Sequence, residues 1–406
     1  VLGNVRAISP PPRNDWPPAQ RIGIQKMTAD VVRRYVPRSV QDRPDARALP
    51  AGSGRHAWSC GFTVISVIAL AAALAAQAAV PDLLARAGTA IAIIGIVVGI
   101  PHGAVDHMVP FWLADTPPTP RPLLKAVLRY LTVAAAATGA FLLLPTVTVS
   151  VFLLASALHF GRGEVVFAAQ RAGRPIPPWQ RERIVVLAYG TAVVVLPLAV
   201  WRPQTAAVFA VIAPRLDGAP PEWVVPTAVG AVAVLVAVAG AILVTGGRWR
   251  QAAELALLVA VFATVPPLVA FGVYFGGWHA LRHTCRLLTL PGPGGYRLLG
   301  PVALRRYAVH AAGPTVVALA TLVTVDRLAS PAAVPGAIAV LLALTFPHLH
   351  TVAELDRAIA IQTQKALLDT LCRRLSPSCG KDLTVTASGL DCLADCRVAP
   401  VGTSIE

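Results

Sequence analysis

Charge is what this sequence has least of. Only 14% of its 406 residues are Asp, Glu, Lys or Arg, against roughly 25% in an average soluble domain. That shortage excludes the pair of water-soluble domains that the length alone would allow. Acidic residues are scarcer than basic ones: 20 Asp and Glu face 35 Lys and Arg, a formal net charge of +15. The chain nevertheless lacks a basic stripe with interleaved aromatics, so no nucleic-acid partner is expected. The basic excess sits at the two ends and in short loops, the pattern of cytoplasmic loops beside anionic lipid. Residues 1–57 lack an apolar run and do not read as a cleaved signal peptide. They are rich in Pro and Arg and are expected to form a basic, disordered N-terminal extension.

Apolar residues are abundant instead, at 55% of the chain. Runs of the roughly 20 residues that a helix needs to cross a bilayer recur from about residue 58 to about residue 350. The expected fold is all-α: a polytopic integral membrane helical bundle of about 8–10 transmembrane helices. A transmembrane catalytic domain is placed at 58–355, followed by a polar, Cys-containing C-terminal tail at 356–406. The candidate runs are 58–80, 87–109, 126–144, 146–168, 184–200, 223–245, 252–265, 268–288, 307–325 and 334–350. The double proline at 266–267 either separates two spans or kinks one. Placing the basic N-terminus inside puts Arg121 and Lys125, Arg171 and Arg174, and Arg248 and Arg250 inside as well. That agreement favours ten crossings of the cytoplasmic membrane. Cys372, Cys379, Cys392 and Cys396 cluster in the tail, and only the last pair has a zinc-knuckle interval. A reduced tail without a metal is expected there.

Seven of the nine histidines fall into four motifs at the edges of apolar runs: PHGAVDH (His102, His107), SALHFGRGE (His159), FGGWHALRH (His279, His283) and FPHLH (His348, His350). His279 and His283 are four apart, so a helix puts both imidazoles on one face. In the topology above, His102, His159, His279, His283 and His348 reach a similar depth and can converge. Imidazole suits iron, zinc and copper, and a neutral imidazole is cheaper to bury than a carboxylate. Asp106 lies four after His102 and Glu164 five after His159. Both fit as carboxylates that receive the second N–H of a metal-bound histidine. The plainer reading pairs Glu164 with Arg162 or Arg171, and leaves single histidines hydrogen-bonded in the membrane interface. Gly103, Gly161, Gly276 and Gly277 flank the histidines, where they allow close helix approach.

At these motifs the sequence resembles the Brp/Blh family, the membrane-bound bacterial and archaeal β-carotene 15,15′-dioxygenases. The family pattern is PHGxxD, then HFG with a following acid, then H-x-x-R-H, then a final PH. Here these stand as PHGAVD, HFGRGE, WHALRH and FPHLH, in order over roughly 90–355. The resemblance implies an Fe(II) enzyme that cleaves the central double bond of β-carotene with O2 to give two retinal molecules. It also implies a functional link to a retinal-binding rhodopsin. Residue by residue, the family's iron ligands fall on His102, His159, His279 and His283, with Asp106, Glu164 and His348 as supporting candidates. Four imidazoles leave up to two positions for O2. The chain departs from the family in having Glu164 where Asp is expected, and in the extra histidines His107 and His350.

Two other function classes stay open at this point. A membrane di-iron hydroxylase or desaturase would use histidine boxes, but no adjacent His-His pair occurs here. A divalent-metal or proton transporter would string ionisable groups across the bilayer, whereas these histidines gather at one inferred depth.

Overall fold

A computed structural model describes residues 54–212, 223–292, 298, 300–328 and 333–375, and among these all regular structure is helical. The chain from Leu49 to Gln364 makes one compact unit, which contains the site. In order, the helices are α1 (Gly54–Ala79), α2 (Pro81–Gly99), α3 (Pro101–Ala104), α4 (Val109–Ala114), α5 (Pro120–Leu143), α6 (Pro145–Arg171), α7 (Trp179–Val200), α8 (Arg202–Ile212), α9 (Val224–Thr245) and α10 (Trp249–Thr264). After the double proline come α11 (Pro267–Tyr274), a π-helical turn (Phe275–Ala280), α12 (Leu281–Leu288), α13 (Gly300–Leu328) and α14 (Ala333–Leu375). Proline opens α2, α3, α5, α6 and α11. At a first helical position the missing N–H has no intrahelical partner to lose.

Nine of the ten apolar runs lie on helical stretches to within a residue at their ends. Seven of the helices are long and apolar enough, by length and composition, to cross a membrane: 61–79, 81–104, 120–143, 145–171, 179–200, 224–245 and 300–325. The protein is therefore a multi-pass membrane protein. Residue 265 is extended and Pro266 follows it, so α10 and α11 are separate helices and not one kinked helix. The run expected as a span at 87–109 is broken: α2 stops at Gly99, and the chain turns through 105–108 after the single turn of α3.

Burial ranks the helices. The apolar stretch of α7 is 61% buried, whereas that of α13 is only 6% buried. Thus α7 is the axis of the bundle, and α13 exposes Val309, Val316, Val317 and Val323 in the manner of a lipid-facing helix. Small residues set the closest crossings. A Cβ on Gly161 of α6 would lie 1.9 Å from the Val186 carbonyl oxygen of α7, and one on Gly190 would lie 2.0 Å from that of Ala157. At the second crossing a Cβ on Gly95 of α2 would lie 2.2 Å from the Gly272 carbonyl oxygen. Lipid supplies no hydrophobic drive between helices, so such backbone approach is a main source of association.

The expected domain boundary between 355 and 356 falls inside a helix. The 43-residue helix α14 runs through it, and Asp356 is buried against Arg286. Asp356 is thus half of an internal ion pair. Residues 1–53 and 376–406 lie outside the described residues, and with them most of the expected extension and three of the four tail cysteines.

Candidate metal centre

Five histidines from four separate stretches of chain converge. His102 comes from α3, His159 from α6, His279 from the π-turn, His283 from α12 and His348 from α14. The His102 ring centroid lies 5.2 Å from that of His279, 5.6 Å from His283 and 4.8 Å from His348. His159 lies 5.1 Å from His279 and 5.3 Å from His348, and His283 lies 5.3 Å from His348. All but the half-buried His159 are fully buried. One ligand nitrogen each on His102, His279 and His348 fall within 4.8 Å of one another. The Nε2 atoms of His159 and His279 are 3.4 Å apart. Two imidazole nitrogens sharing one first-row ion at bonds of about 2.1 Å take a similar separation.

Local structure aims these rings. At His102, Nδ1 donates to the Gly99 carbonyl oxygen at 2.5 Å, which leaves Nε2 with its lone pair. The turn at 105–108 then carries Asp106 back under the cluster. His279 sits in a π-turn, a local widening of the helix that recurs at functional sites. Phe275 packs edge-on to His102 at 5.5 Å and nearly parallel to His279 at 6.3 Å. Phe160 packs edge-on to His279 at 4.8 Å, so the surroundings of the rings are largely aromatic.

The two carboxylates sit elsewhere than the sequence suggested. Asp106 does not serve its neighbour His102. Its Oδ2 accepts from Nδ1 of His348 at 2.9 Å, 242 residues away. Glu164 touches none of the five histidines and pairs with neither Arg162 nor Arg171. It accepts from Trp278 Nε1 at 2.7 Å and from Arg282 Nη1 at 2.6 Å. Arg282 also donates to Glu254 at 2.9 Å, and Glu254 accepts from Arg171 at 2.7 Å. The result is a buried quartet of two arginines and two glutamates beside the histidines. Arg282 lies over the Trp278 ring at 3.5 Å, and its Nε donates to Ser66 of α1 at 3.2 Å. A second strut joins Arg286 to Asp356 and, at 2.8 Å, to Gln170.

Sequence reading passed over Arg282, Trp278, Glu254, Arg286 and Asp356. The signal was present: an ionisable residue inside an apolar run needs a partner or a purpose, and Glu254 and Arg282 each interrupt such a run. Of the remaining histidines, His350 is half exposed and pairs with Glu354 at 3.2 Å. His310 packs edge-on to Trp112 at 6.0 Å. His107 lines a small cavity with Arg129, Tyr130 and His350.

Comparison with known proteins bears on this cluster directly. The family model described as Beta-carotene 15,15'-dioxygenase matches residues 92–356. The chain belongs to this family. It is also similar to the probable beta-carotene 15,15'-dioxygenase Blh of Halobacterium salinarum, at 30% identity over 292 residues, covering 66% of this chain and 80% of that protein. No solved structure matches. As a dioxygenase of this family, the protein carries the whole histidine cluster and the charged quartet inside the matched residues. Ser66 and Thr63 of α1, which accept from Arg282 and Arg171, fall outside them.

Proposed function

We propose that this protein cleaves the central double bond of β-carotene with O2, giving two molecules of retinal, at an iron ion held by His102, His159, His279 and His283. The observation that carries the reading is the convergence of buried imidazoles inside a membrane bundle of this family. The balance is simple: one C=C bond is lost, and each of its carbons gains one oxygen atom of O2 as an aldehyde.

The residues fit a metal. His348 has a buried Nε2 without a hydrogen-bond partner among the described residues. His102 Nδ1 is occupied by the Gly99 carbonyl, which directs its other nitrogen inward. Neutral nitrogen donors suit iron in its divalent state, and no carboxylate enters the ring of donors. When bound, the metal supplies the redox chemistry that O2 needs before it can attack a closed-shell alkene. The chain supplies everything else. Its aromatic side chains exclude water from the site. Phe275, with Phe271 stacked beyond it at 5.5 Å, offers a flat apolar surface leading away from His102 and His279. A polyene dissolved in the bilayer is suited to that surface and reaches it without crossing water.

The test is expression in a β-carotene-producing host. The colour should bleach and retinal should accumulate, as read by chromatography. Persistence of the carotenoid, with the protein inserted in the membrane and iron supplied, would overturn the reading. His279→Ala and His283→Ala should each lose activity and iron together. Full iron occupancy in both variants would remove these two residues from the ligand set.

A further inference from the structure

We infer that His348 is itself a metal ligand, and that Asp106 is the residue that positions it; this rests on the metal reading proposed above. His348 lies on α14, directly after Pro347, and is 6% exposed. Its ring faces three of the other four, His102, His159 and His283, at 4.8, 5.3 and 5.3 Å, as many as His102 does. The compact group of three ligand nitrogens within 4.8 Å comprises His102, His279 and His348, so this histidine belongs to the tightest part of the cluster.

Hydrogen bonding decides which nitrogen is available. With Asp106 ionised its carboxylate only accepts, so Nδ1 of His348 carries the proton that Oδ2 receives. The lone pair is thereby fixed on Nε2, which is buried and has no partner among the described residues. A carboxylate holding the far nitrogen of an imidazole is the usual support of a metal-bound histidine: it sets the tautomer and ring orientation and raises ligand basicity. A histidine present only to satisfy Asp106 would have no need to keep a bare acceptor buried among other imidazoles.

Backbone geometry reinforces the pairing. Gly103 lies beside His348, and a Cβ there would stand 3.4 Å from Nδ1 and 3.8 Å from Asp106 Oδ2. The motif PHGAVDH therefore supplies two things at once: the imidazole of His102, and the carboxylate that aims an imidazole from another helix. Five imidazoles leave at most one free position on a six-coordinate ion, where four leave two. The site is consequently less open to a second exogenous ligand than the four-histidine set implies.

The experiment uses the full chain in detergent, titrated with Co(II) and followed by visible absorption, with bound metal counted after gel filtration. His348→Gln keeps a side chain that can donate to Asp106 but offers no imidazole. It should weaken Co(II) binding at least 10-fold and change the ligand-field bands, and added imidazole should restore the wild-type spectrum. Asp106→Asn should weaken binding about 10- to 100-fold, the range for loss of such a supporting group. His350→Ala, outside the cluster, should bind as wild type. Uptake by His348→Gln with wild-type affinity and an unaltered spectrum would overturn the assignment of His348 alone. Failure of the wild type to take up either Co(II) or iron would overturn the metal reading and this inference with it.

Discussion

Glu164 offers the sharpest test of how the site is held. Its side chain is 4% exposed, and it accepts from Trp278 and Arg282, which directly precede His279 and His283 in the chain. The buried quartet of Arg171, Arg282, Glu164 and Glu254 is neutral, and deletion of Glu164 leaves it with one uncompensated positive charge. Removing one partner of a buried pair costs about 3–5 kcal/mol. Glu254 still holds Arg282 at 2.9 Å, which puts the charge loss near the lower end. Glu164→Ala also strands the Trp278 N–H, an addition of about 1 kcal/mol or more. We therefore expect a loss of about 4 kcal/mol for Glu164→Ala. Glu164→Gln keeps the volume and the acceptor for Trp278, and should lose about 2–3 kcal/mol. Equilibrium unfolding in mixed micelles measures both. The gap between the two variants should narrow by about 1 kcal/mol in a Trp278→Phe background, where no N–H is left to strand. Glu354→Gln is the control: it loosens a pair whose Arg129 is 48% exposed, and should cost about 0–1 kcal/mol. Because His159 lies five residues from Glu164 on α6, metal content should fall along with stability. A Glu164→Ala protein within 1 kcal/mol of wild type, a bound set by the figures above, would refute the claim that this quartet braces the site.

Two further outcomes follow from packing and exposure. Gly161→Ala places a methyl 1.9 Å from the Val186 carbonyl oxygen, so α6 must move away from α7. Overpacking of this kind costs about 1–3 kcal/mol, and thermal unfolding in detergent should show it, together with reduced metal content because His159 shifts with its helix. An unchanged melting profile with full metal would show that this crossing is not the constraint described. His350→Ala should keep retinal production at or near the wild-type level, since His350 is half exposed and pairs with Glu354; a loss of activity comparable to that of His279→Ala would place it in the site.

The all-helical membrane bundle was legible from composition and run length alone, because a bilayer admits only segments that satisfy their own backbone. Nine of the ten apolar runs lie on helical stretches for that reason. The histidines were legible as a group because polar residues at the ends of apolar runs are costly and conspicuous. Their partners were not. Sequence proximity paired Asp106 with His102, yet the turn after α3 rotates Asp106 toward α14 and His348. Glu164 looked like the neighbour of His159 or of nearby arginines, but a residue five positions along a helix faces elsewhere, in this case toward Trp278 and Arg282. The π-turn at Phe275–Ala280 left no periodicity to read, since FGGWHA fits an ordinary helix equally well. The sequence by itself determined the solvent this protein lives in and which side chains are chemically capable. Only the tertiary structure decided which carboxylate serves which histidine, because those choices depend on contacts between helices more than a hundred residues apart in the chain, 242 for Asp106 and His348.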